Sequence, residues 1–263
     1  MWMKERQIET MYRTRFDDRR HAGETLDRLY VESAGGRATT ERAWLIAVAH
    51  PRLPRLRDRL TRDCARGVLT EAGRLGIRFA GQGGFHPLEN VDGLNPRPGL
   101  RRWVAVNAAV GDPSPRKEAW ASLHHDGSVT LAAAVGSQRA SHDSYFKGSQ
   151  VPAAAIEGSV ADLMALVRAT ADVTGDDEYD VRVGIEWSGF EPLTIPTMDN
   201  FGHVFYGASY PLHRYVPVES TIKAAAPYVD FHWQVHDLAQ DCVNQGGVSN
   251  VTTIQPPARD EPA

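Results

Sequence analysis

Cysteine is scarce in this chain: Cys64 and Cys242 are the only two among 263 residues. Paired-cysteine motifs for zinc, iron–sulfur clusters or dithiol exchange are thereby excluded, and both residues sit in helical apolar patterns where buried thiols are expected. Long apolar runs are lacking too. The longest, Ala43 to Ala49, falls far short of the ~20 residues of a membrane-spanning helix. The N-terminus, MWMKERQIETMYRTR, carries charge where a secretion signal has its apolar stretch, so no membrane partner and a cytoplasmic location are expected. Lysine contributes only four of the 29 basic residues. That arginine-heavy usage reads as a GC-rich genome rather than a nucleic-acid code.

Neither sign of charge dominates. The net charge is −4, made of +6 over residues 1–78 and −10 over the remainder. Basic and acidic residues interleave in the first part, which favours a solvated helix offsetting an acidic body over an anion-binding patch. What the chain does have is an ordinary globular composition, 42% hydrophobic and 24% charged, enough to build a core.

Residues 3–33 show apolar positions at three- and four-residue intervals (Ile8, Tyr12, Phe16, Ala22, Leu26, Leu29), the pattern of one long amphipathic helix stopped by Gly35-Gly36. Ala43 to His50 suits a buried strand, and residues 55–75 return to helical spacing. Residues 80–99 are glycine- and proline-rich and irregular. Trp103 to Val110 reads as a strand covered on both faces. Ala119–His125 and Ser128–Val135 flank Asp126-Gly127, the pair of a two-residue hairpin turn, which would place His125 opposite Ser128 and His124 opposite Val129. Ser159 with Asp162 three residues on resembles a capping box and predicts a helix running to Gly175. A half-buried strand at Val181–Trp187 and a helix at Tyr228–Asn244 follow, then a frayed end. Strands joined by hairpins, without regular βαβ alternation, predict an α+β fold: a two-layer sandwich of a mainly antiparallel sheet with helices on one face, preceded by a long N-terminal helix. The expected units are that helix (1–36), the α+β body (37–255) and a disordered tail (256–263).

Few residues converge on chemistry. In a strand, His124 and His125 point to opposite faces, so they cannot share a metal, and Asp126 is explained by the turn. His232 and His236, spaced i, i+4 on a helix, are the better metal pair, but neither an intervening glutamate nor a third ligand accompanies them, and packing histidines are the simpler reading. Gly81-Gln82-Gly83-Gly84 lacks a following capped helix for a phosphate. Ser141-His142-Asp143 are consecutive, whereas hydrolytic triads are assembled from separate segments. The acidic loop Asp176–Asp180 reads as solvated. Arg13, Arg15, Arg19 and Arg20 could contact nucleic acid, but Asp17 and Asp18 sit among them. No cofactor is expected.

Three stretches, YRTRFDDRRHAGETLDRLYVES, AWLIAVAHP and GLRRWVAVNAA, resemble the region that follows the AlbA-type (Schlafen-like) DNA-binding domain in actinobacterial proteins. The resemblance implies an accessory half beside a nucleic-acid-binding domain, and it carries no functional residue over. The expected function is therefore a non-catalytic accessory or regulatory domain, self-associating or meeting a partner chain through helix 3–33. The rival is a small-molecule binder or enzyme, with a pocket between loops 80–99 and 188–216 that includes His86, Asp199, His203 and Tyr206.

Overall fold

The computed structural model describes residues 22–54, 58–82, 85–108, 118–140, 144–198, 204–205, 207 and 209–258. Its centre is an antiparallel sheet of seven strands. They are β1 (Trp44–Pro51), β2 (Arg97–Gly99), β3 (Arg102–Ala105), β4 (Ala119–His124), β5 (Val129–Ala134), β6 (Glu178–Glu186) and β9 (Val218–Lys223), in the order β2-β3-β4-β5-β1-β6-β9. A separate ribbon pairs β7 (Thr197–Met198) with β8 (Val204–Phe205). The α+β class expected from the alternation pattern is what forms.

β1 is buried along its whole length between β5 and β6. Its side chains alternate between two cores, which is why the run reads as continuously apolar. Leu45, Ala47 and Ala49 join Leu123, Leu131, Val181 and Val183 against the main helical layer. Trp44, Ile46 and Val48 join Ala132 and Ala134 on the other face.

The main layer consists of α2 (Arg62–Ala80), α3 (Ala153–Thr174) and α4 (Tyr228–Asn244). α3 lies between α2, α4 and the sheet, and most of its circumference is buried, as its alanine- and leucine-rich sequence demands. The opposite face is covered by a helix over residues 22–34, α1. Its Leu26, Leu29 and Tyr30 pack on Trp44, Ile46 and Val48. Tyr30 hydrogen-bonds Glu186 of β6, and Asp27 pairs with Arg182. The apolar stripe of this stretch is thus satisfied by the chain's own sheet. The earlier part of helix 3–33, with Arg13, Arg15, Arg19 and Arg20, lies outside the described residues, as do Asp199, His203, Tyr206 and residues 141–143.

Several boundaries differ from the sequence reading. α2 begins at Arg62 behind a Thr61 cap and runs to Ala80, and β3 stops at Ala105. α3 begins at Ala153 after Pro152, not at Ser159. Ser159 and Asp162 lie inside it, fully buried, because proline pre-sets the entry and the Pro196 and Pro152 carbonyls take amides of the first turn. After α4, Ile254 is buried and Trp233 donates to the Pro257 carbonyl. Among the described residues no helix is long and apolar enough to cross a membrane.

Candidate functional site

One end of the sheet, on the α1 side, carries a polar row. Thr221 of β9 lies opposite Asp180 of β6, Asp180 opposite His50 of β1, and Arg102 of β3 opposite His124 of β4. Ser128, just before β5, joins the row because the His124 amide donates to its carbonyl. The hairpin is therefore one residue longer than the Asp126-Gly127 signal predicts. Leu123, not His124, faces Val129, and the loop comprises His125, Asp126 and Gly127. Gly127 takes φ +90, a value that favours glycine, and its amide returns to the His124 carbonyl. The shift of one residue puts His124 beside Ser128.

The row is held by a chain of hydrogen bonds. Ser128 is fully buried, and its hydroxyl lies 2.7 Å from His50 Nδ1. Its backbone amide donates to Asp126 Oδ1 at 2.9 Å. Packing around the Asp126 carboxylate opposes its charge, but the Ser128 amide and hydroxyl outweigh that and hold it below the usual carboxylate range. His50 is pulled below its ordinary value by burial, against the pull of Asp126 and Asp180. Burial takes His124 down to about 4, so both rings are neutral at pH 7. His124 Nε2 has no hydrogen-bond partner among the described residues.

Above this row opens a cavity of about 420 Å³, lined by Thr25 and Arg28 of α1, by His50, Arg52 and Leu53, and by Asp126. That volume falls within the range of small-molecule sites. Arg52 is engaged by Glu178 at 3.2 Å and Asp180 at 3.3 Å. Arg28 makes no ion pair among the described residues. His50 is only 6% exposed, and its Nδ1 is taken by Ser128.

The residues singled out from sequence fall elsewhere. Of the residues expected to line a pocket between loops 80–99 and 188–216, only His86 is among the described residues. It is buried, with Nδ1 2.9 Å from Asp162 Oδ1 and Nε2 2.9 Å from the Gly81 carbonyl. Burial opposes its charge, but the bond to Asp162 and that carboxylate's charge outweigh it and raise the imidazole. Burial also raises Asp162, against its contacts with His86 and the Leu88 amide. The Gly81 carbonyl can only accept, so Nε2 carries a proton, and a second proton lies between Nδ1 and the Asp162 carboxyl. Gly76 of α2 is required here, since a Cβ would stand 2.1 Å from Asp162 Oδ1. Glu157, also buried, accepts from the amides and hydroxyls of Thr252 and Thr253. His232 packs against Phe79, with Nε2 3.1 Å from that residue's carbonyl, while His236 bonds Asp237. No group of three metal-ligating side chains occurs among the described residues.

Sequence reasoning passed over His50, Ser128 and Arg28. The available signal was a histidine closing an otherwise apolar strand, directly before Pro51 and Arg52. Comparison with protein-family models, with characterised proteins and with solved structures gives no significant match.

Proposed function

We propose that the chain is a non-catalytic regulatory module of the cytoplasm that binds a small polar molecule in the His50 cavity and signals its presence to a nucleic-acid-binding domain. The observation that carries this reading is a buried imidazole with one nitrogen tied to Ser128 and its other edge on a cavity of about 420 Å³. Ser128 is closed off from that cavity's solvent, which disfavours a nucleophilic role, since an attacking hydroxyl must reach its substrate. The resemblance to the region after an AlbA-type domain supports the regulatory half. Self-association is not part of the proposal for residues 22–34, whose stripe is buried at home.

The test is thermal melting of the full chain against a library of small carboxylates, phosphates, amines and amino acids. A ligand at ~100 times its Kd adds about 2.7 kcal/mol. For a chain of this size that corresponds to a rise of roughly 5–10 °C. Binding in this cavity requires that Arg28→Gln abolish the rise. A library that moves no melting point, or a rise that Arg28→Gln leaves intact, contradicts the proposal.

A further inference from the structure

The charges around the cavity narrow its ligand. Of the two arginines lining it, Arg52 is already neutralised by Glu178 and Asp180. Arg28 is left as the cation without an ion pair among the described residues. Asp126 lines the same cavity as an anion whose bonds among the described residues come from Ser128, a neutral donor that does not cancel its charge. A carboxylate offers about four acceptor positions, so these bonds do not exhaust it. A purely anionic ligand would face Asp126, and a purely cationic one would face Arg28. Only a molecule carrying both signs meets both walls favourably.

The floor adds a third requirement. The Ser128 hydroxyl has a single hydrogen. Asp126, being ionised, can only accept, so that hydrogen points to the carboxylate and Ser128 Oγ in turn accepts from His50 Nδ1–H. A neutral imidazole with its proton on Nδ1 presents a lone pair at Nε2. Besides guanidinium and carboxylate, the cavity lining therefore includes an imidazole acceptor that wants a hydrogen-bond donor.

We propose that this cavity is a site for a small zwitterion, an α-amino acid or a close relative: carboxylate toward Arg28, ammonium between Asp126 and His50 Nε2. The assignment rests on the ligand-binding reading above and goes further by fixing the ligand's chemical class. Arg28 and Asp126 are exposed and gain charge-assisted hydrogen bonds, while His50 beneath them is buried and gains a donor for its remaining nitrogen.

Titration calorimetry of the full chain with the common L-amino acids, one at a time, tests the assignment. At least one binds, and each binder is compared with its two truncations: propionate and ethylamine for L-alanine, 4-methylpentanoate and 3-methylbutylamine for L-leucine. Losing either charged group should weaken binding by at least about tenfold, the equivalent of one charged hydrogen bond. Arg28→Gln should remove the distinction between amino acid and amine, and Asp126→Asn, which keeps the turn, that between amino acid and carboxylate. Equal binding of a truncated partner overturns the zwitterion assignment. If no amino acid binds but a phosphate or carboxylate does so in an Arg28-dependent way, this inference fails while the regulatory-module reading stands. If nothing binds at all, both fall.

Discussion

The two faces of the sheet treat polar groups differently. On the main helical side, α3 buries Asp162 and Glu157, and each fastens a distant segment: Asp162 holds His86 and the Leu88 amide, Glu157 holds Thr252 and Thr253. On the α1 side, the row through His50, Ser128 and His124 is bonded within itself but ends at a cavity, with Arg28 unpaired among the described residues and His124 Nε2 unbonded. Charges buried deep in helical packing are costly unless every hydrogen bond is met, so they are confined to fixed contacts. At the end of the sheet, where α1 leaves room, Arg28 can stay unmatched because solvent or a ligand reaches it, whereas His124 Nε2 is unmatched and buried.

That contrast can be broken from the helical side first. Asp162→Ala takes away the partner of the buried His86 and frees the Leu88 amide, so a loss of about 3–5 kcal/mol in denaturant-unfolding free energy is expected. A loss within ~1 kcal/mol would mean that the His86 contact is dispensable and that the α3 side does not differ from the cavity side.

A smaller effect sharpens the comparison through pH. His86 is raised, so above ~6.5, the free imidazole value, the native chain holds a proton that the unfolded chain has released. Its contribution is complete below that value and is lost as pH rises through the folded one. His50 and His124 are lowered, His124 to about 4, so below ~6.5 the unfolded chain binds protons that the native chain refuses. Their contribution is present above the unfolded value and is lost as pH falls. Melting temperature against pH should therefore decline on both sides of neutrality for separate reasons. His124→Gln should make the acid limb shallower and leave the alkaline limb alone. An unchanged acid limb would contradict the burial assigned to His124.

Much of the framework was legible in the sequence, because periodicity reports burial. The Ala43–His50 run, the Tyr228–Asn244 helix with Phe231, Val235, Leu238 and Cys242 inward, and the α+β class all follow from it. The site was not legible, for two physical reasons. His50, Ser128 and His124 become neighbours only through strand register, and a loop of three residues in place of two moves each partner by one position. His86 and Asp162 lie 76 residues apart and meet through helix packing that leaves no local trace. Ser159 and Asp162 even mimic a cap while serving the interior, since a short polar side chain suits both places.

The central claim is that His50 offers an unprotonated Nε2 to the cavity, held that way by Asp126 and Ser128. Nitrogen-15 NMR of the histidine side chains in the full chain at neutral pH tests it most directly, with the His50 signals identified by their loss in His50→Gln. The account predicts a protonated Nδ1 and a lone-pair Nε2 for His50, and reversal or mixing of the two forms in Ser128→Ala. A His50 that carries its proton on Nε2, or on both nitrogens, would contradict it.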